Sequence, residues 1–218
     1  MFEKVNNFRE ARINRKYEIL LLSLLLLLFG DIFFPFEFDS SPILVIQNVF
    51  ASTILFYGKK RWRWPLYILL FTLVFLEIIN LFAGLLVSKY LFSILYILYF
   101  VILSIEVYRE ILKNKGVTIG MVAAVLSGFI LLALMGGYLF IIIEMIVSGS
   151  FTNLSEGVTK FSDLIYFSFI TVLSVGYGDI SPITPLAKKA AVLIGLLGHF
   201  YSVVVIGIVI GKFIAKNE

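Results

Sequence analysis

Phe161-Ser162-Asp163-Leu164-Ile165-Tyr166-Phe167-Ser168-Phe169-Ile170-Thr171-Val172-Leu173-Ser174-Val175-Gly176-Tyr177-Gly178-Asp179 is the stretch on which the fold turns. Its first half is apolar and reads as a helix, with Ser162 or Asp163 placed as the N-cap. A helix this short does not reach across ~30 Å of hydrocarbon, so the spacing predicts a re-entrant half-helix. The second half, Ser174-Val175-Gly176-Tyr177-Gly178, carries two glycines separated by one residue and does not continue a helix comfortably. Glycine accepts positive φ at no steric cost. Alternation with Val175 and Tyr177 therefore lets successive carbonyls turn to one side while the large side chains pack behind them.

The rest of the chain says why such a loop would lie within a membrane. Of 218 residues, 61% are hydrophobic and only 15% charged, and the mean hydropathy is +1.03. Ordinary soluble domains are ~45–50% apolar and ~25% charged. This excludes a typical soluble globular protein, a disordered chain and, with no cysteine present, a disulfide scaffold. A nucleic-acid partner is not expected despite a pI near 9.2, because the basic residues sit in short runs between long apolar segments and not on one solvated face.

Six segments are long and apolar enough to be membrane helices, at about 17–34, 42–57, 65–82, 90–108, 118–148 and 185–213. The first is not expected to be a signal peptide: its apolar run exceeds an h-region, and Asp31, Phe33, Phe34 and Pro35 make a poor cleavage site. Cytoplasmic loops collect Lys and Arg. Lys4, Arg9, Arg12, Arg15 and Lys16, then Lys59, Lys60, Arg61 and Arg63, then Arg109, Lys113 and Lys115, then Lys212 and Lys216 put 14 of 18 basic residues on one alternating set of loops. The other set holds Lys89, Lys160, Lys188 and Lys189. Both termini are therefore expected to be cytoplasmic, in a multi-pass protein of the plasma membrane.

A row of carbonyls facing a common axis can replace the water shell of a dehydrated cation. One chain supplies one wall, and cyclic symmetry supplies the others. Thr171-Val172-Leu173-Ser174-Val175-Gly176-Tyr177-Gly178-Asp179 resembles the signature filter of tetrameric potassium channels. The run lies after an apolar helix and before Pro182-Ile183-Thr184-Pro185 and a long apolar segment, as in that family. The likeness is strongest over 117–214, and the whole chain resembles the six-helix, voltage-gated-like channels. It implies that the carbonyls of Ser174, Val175, Gly176 and Tyr177 coordinate K+, with Gly178 completing the filter backbone and the Ser174 hydroxyl completing the innermost site. Most members carry threonine there, and Ser174 keeps the oxygen but lacks the methyl group that stiffens χ1.

The resemblance implies further roles. Asp179 would accept a hydrogen bond from an aromatic donor on the pore helix, where Tyr166 stands, and Thr171 would join them in supporting the filter. Ile170 occupies a place where some channels carry a second acid, so a simpler brace is expected. Gly198 lies where the family often has a hinge glycine, although membrane helices also use glycine for close packing. His199 would then lie close to the central cavity, where a cationic imidazole would repel K+. The competing reading is a neutral histidine packed against a neighbouring helix.

In voltage-gated relatives the fourth helix carries basic residues at every third position, since a charge crossing the field is worth ~2.3 kcal/mol per 100 mV. Here positions 90–108 contain none, so little gating charge is expected. Glu77, somewhat past the middle of the third segment, has Asn80 about one turn later. A charge at the bilayer centre costs at least ~2.5–3.5 kcal/mol. Glu77 is thus either protonated or hydrogen-bonded, or part of an intramembrane cation or proton site. Glu106 is expected to pair with nearby basic residues, and Glu144 to be interfacial.

Together these readings predict an all-α membrane protein with six transmembrane helices plus a re-entrant pore helix and filter loop. Residues 1–113 would form an N-terminal arm and a voltage-sensor-like four-helix domain, and residues 114–218 the pore domain. The expected function is a homotetrameric, potassium-selective channel that conducts K+ passively, is not voltage-gated, sits in the lipid bilayer and uses no cofactor. Only Ile214 to Glu218 follow the last segment, so no attached nucleotide-binding domain is expected. The alternatives are a weakly selective cation channel and a non-conducting accessory subunit. An enzyme is not expected: no nucleophile–base pair or metal cluster appears, and there is one histidine.

Overall fold

A computed structural model of the chain describes residues 15–33, 52–53, 55–56, 64, 67–76, 86–113, 118–157 and 159–214. The helices are α1 (Lys16–Phe33), α2 (Tyr67–Leu76), α3 (Leu86–Lys113), α4 (Ile119–Ile146), α5 (Thr159–Val172) and α6 (Pro185–Ile214). Among the described residues the only extended pairing is an isolated antiparallel bridge, Phe151 with Pro182. Among the described residues three spans, Tyr90–Leu112, Ile119–Ile146 and Pro185–Lys212, are long and apolar enough to cross a membrane. The protein is thus an all-α membrane protein. Most of the second expected segment, and Glu77 and Asn80 of the third, lie outside the described residues. The fourth helix starts four residues earlier than its apolar run, at Leu86, and takes in Lys89.

α4 is the hub, and α1, α3, α5 and α6 all pack on it. Its sequence is apolar all round, which suits a helix enclosed by others. Ala124, Leu131, Ala133 and Phe140 are completely buried. Thr118 caps its start, accepting from the Met121 N–H at 3.2 Å.

Small residues on α4 decide how near the neighbours come, because lipid gives no hydrophobic drive between helices and close van der Waals packing must hold them. Gly128 lies against Val107 of α3 and Tyr201 of α6, and the Tyr201 hydroxyl donates to the Val125 carbonyl at 2.5 Å. Gly136 and Gly137 accept Ser168 and Ile165 of α5, and the buried Ser168 hydroxyl donates to the Ala133 carbonyl at 2.6 Å. Tyr96 of α3 stacks on Tyr138 of α4 with centroids 4.9 Å apart. The pairs 96 with 138 and 107 with 128 share one antiparallel register, so α3 runs back along α4 after a short connection. Aromatic contacts continue from Tyr138 to Phe161 and from Phe140 to Phe167, which seats α5 against the same hub.

At the other end, Lys212 near the end of α6 donates to the carbonyls of Ile111 and Leu112 at the end of α3. A cation there suits the negative end of the helix dipole. Tyr17 donates to Glu110 at 3.0 Å, and Lys16 lies 3.8 Å from the same carboxylate.

Candidate functional site

α5 has 14 residues and is about 21 Å long, too short to span the hydrocarbon. It begins at Thr159, three residues before the expected cap, and Asp163 instead accepts from the Ser155 N–H at 2.7 Å. Its end meets α6 near that helix's midpoint, where Val172 lies against Gly198. The chain then returns past Asp179 to the start of α6 at Pro185.

The turn out of α5 is a Schellman motif. The Ser174 N–H donates to Thr171 O at 3.1 Å, the Val175 N–H donates to Ile170 O at 2.9 Å, and Ser174 sits at φ +57. Glycine usually occupies that left-handed position, so Ser174 is a strained exception. The left-handed conformation recurs at Gly176 (φ +58) and Gly178 (φ +81), while Val175 and Tyr177 between them are not left-handed. Tyr177 is 73% exposed and Val175 48% in a single chain, so neither is enclosed by the described residues.

The outer end of this loop is fastened from two directions. Tyr166 on α5 donates to Asp179 Oδ2 at 2.8 Å. That bond holds the Asp179 carboxyl below its usual pKa range. From the other side, the Asn153 side-chain amide donates to the Asp179 carbonyl at 2.7 Å. Residues 150–153 run beside 181–183 as a short ribbon. The Thr152 N–H donates to Ser181 O and the Ser181 N–H to Thr152 Oγ1, both at 2.9 Å, and the Ile183 N–H donates to Ser150 O at 2.8 Å.

Glu144 lies in the last turn of α4, near its outer end. Its side chain is 5% exposed and lies 2.7 Å from Lys160 Nζ, and it accepts the N–H groups of Gly149 (2.9 Å) and Ser150 (2.8 Å). The last turn of α4 thus folds the outer loop over its own end. Thr171 turns its hydroxyl back to the Phe167 carbonyl at 2.7 Å within α5. Gly198 is buried inside an unbroken α6, with Val172 so near that a methyl group would meet its backbone. His199 is exposed.

The sequence offered no sign of Asn153, Thr152 or Ser181. Their roles depend on loops that meet only after α4, α5 and α6 have packed. The charge of Glu144 and Lys160 was a visible signal, but 16 residues separate the two.

Residues 130–215 match a family described as "Ion channel". That span takes in most of α4, all of α5 and its loop, and α6. The curated protein "Two pore potassium channel c" of Oryza sativa subsp. japonica is 36% identical over 62 residues, 28% of this chain and 14% of that relative. The chain therefore spans about one-seventh of that relative's length. No solved structure matches the chain significantly. The family match falls on one packed unit of short helix, glycine loop and two long apolar helices, so the chain is an all-helical integral membrane protein whose residues 130–215 are similar to an ion-channel family.

Proposed function

We propose that this chain is the subunit of a homotetrameric, potassium-selective channel of six membrane spans per subunit, conducting passively and without intrinsic voltage gating. The alternating backbone hand at Ser174, Gly176 and Gly178, within a Ser-Val-Gly-Tyr-Gly-Asp run, carries the proposal. The similarity of 62 residues to a protein named as a potassium channel supports the choice of ion. Four copies around one axis would turn the carbonyls of Ser174, Val175, Gly176 and Tyr177 into rings that replace water around K+. The exposed Val175 and Tyr177 side chains support assembly, since neighbouring copies would cover them. The short α5 would direct the negative end of its dipole towards the ion path from mid-depth. Asp179, braced by Tyr166, would keep the outer mouth ordered and attractive to cations. Gly198 and His199 would lie below the filter, with the exposed imidazole towards the central cavity. The four-helix part, residues 1–113, would act as a peripheral domain, and positions 90–108 hold no basic residue to move in the field. Glu77 and Asn80 would supply that domain's intramembrane polar site.

Purified protein in liposomes tests this. Passive K+ flux is expected, with a reversal potential in mixed K+ and Na+ that follows K+, and a shallow conductance–voltage curve. Absence of flux refutes the channel assignment, and a reversal potential near zero refutes selectivity.

A further inference from the structure

We propose that Asn153 is a positioning residue for the outer end of the ion-binding loop. The proposal rests on the potassium-channel assignment above. Asp179 is the first residue beyond the glycine run, and two separate elements hold it. Its carboxylate takes the Tyr166 hydroxyl from α5, and its carbonyl takes the Asn153 amide from the outer loop. Together these bonds fix the direction in which the chain leaves Gly178, whose φ of +81 reflects a residue with little conformational preference of its own.

Asn153 is built for this contact. It is exposed, so burial does not account for its side chain. Its backbone is left-handed at φ +53, a conformation that asparagine tolerates better than most residues. The loop around it is anchored on both flanks, at Thr152 to Ser181 and at Ser155 to Asp163. The side-chain amide is therefore presented on a fixed support and adds a bond from the outer loop to the Asp179 backbone.

Such a bond should matter most when ions leave the loop. Bound K+ stabilises the ordered loop by mass action. At low external K+ the protein's own fastenings carry more of that ordering. Loss of the Asn153 bond should then speed the slow decay of current during sustained conduction, and raised external K+ should suppress the effect.

Two substitutions separate the side chain from the backbone. Asn153→Gly keeps a residue at ease with φ +53 and removes the donor. Asn153→Asp keeps the shape but sets a carboxylate oxygen against the Asp179 carbonyl. Both are reconstituted beside the wild type, and current decay is recorded at low and high external K+. The expected result is a roughly threefold to tenfold faster decay at low K+, the range one neutral hydrogen bond allows, larger for Asn153→Asp and reduced at high K+. Wild-type decay rates in both variants overturn the proposal, as does an acceleration that ignores external K+. A wild type that passes no K+ overturns the channel assignment and this proposal together, whereas a conducting wild type with unaffected variants overturns this proposal alone.

Discussion

Gly198→Ala tests how the inner helix is fitted to the loop. A Cβ built on Gly198 would stand 2.8 Å from the Val172 carbonyl oxygen and 3.0 Å from both Val172 Cα and Cγ1. Two of those atoms are backbone and have no rotamer by which to escape. Ordinary contact begins near 3.4 Å, so α5 and α6 must separate by about 0.6 Å at this point. Overpacking of this kind costs ~1–3 kcal/mol. Replacing glycine by alanine inside a helix returns ~0.8–1.0 kcal/mol. The net loss is therefore ~0–2 kcal/mol per subunit, or a melting temperature lower by ~2–4 °C for each kcal/mol. Conduction should suffer more than stability. Val172 lies two residues before Ser174, and functional geometry tolerates only ~0.5 Å of displacement. The assay is thermal melting of the reconstituted protein beside K+ flux. Gly207→Ala is the control, since none of the described residues lies within 4 Å of a Cβ there. A Gly198→Ala protein that melts and conducts like the wild type refutes the packing account. Unchanged melting with altered opening would assign Gly198 to a hinge instead.

Tyr166→Phe removes the bond that lowers the Asp179 pKa. The depressed carboxyl contributes its brace above the ordinary value of ~3.9 and loses it as pH falls through its folded value. In the Tyr166→Phe protein, block by external acid should therefore move to higher pH, and an unmoved titration of current would count against the brace. Ser174→Gly should relieve ~1–2 kcal/mol of left-handed strain at the end of α5 while deleting the hydroxyl. Ser174→Ala keeps the strain and also loses the hydroxyl. Both should weaken inner-site ion binding, read as reduced barium block, but only Ser174→Gly should raise the melting temperature. Glu144→Gln leaves Lys160 without its charge partner and weakens charge-assisted bonds to Gly149 and Ser150, for a loss of ~1–3 kcal/mol. Equal melting temperatures for wild type and Glu144→Gln would show that the outer loop does not depend on this carboxylate.

Much of the fold was legible because its signals are local. Apolar runs at 118–148 and 185–213 anticipated α4 and α6 to within two residues at each end. Other boundaries moved for physical reasons. α3 extends from Leu86 to Lys113 because polar and charged residues at its ends still favour helix once the centre is packed on α4. α5 starts at Thr159 because Asp163, a plausible cap in isolation, is engaged by the Ser155 N–H. The partners of Glu144 were not legible, because hydropathy does not reveal which backbone donors will fold back over a helix end. Gly198 was open between bending and packing, and the distance to the Val172 backbone supplies the packing contact.

By itself, the sequence determined the solvent, the helical class and the backbone conformation of the glycine loop. Long apolar runs need a bilayer, and glycines at alternate positions need a backbone of alternating hand, and both follow from residues close together in the chain. Only the tertiary structure decided that Ser174 would take the strained turn out of α5. It also decided that the Asp179 carbonyl would be held by Asn153, 26 positions away. Hydrogen bonds between distant segments depend on how closely the helices approach, and that approach is set where Gly128, Gly136 and Gly137 let α5 and α6 settle onto α4.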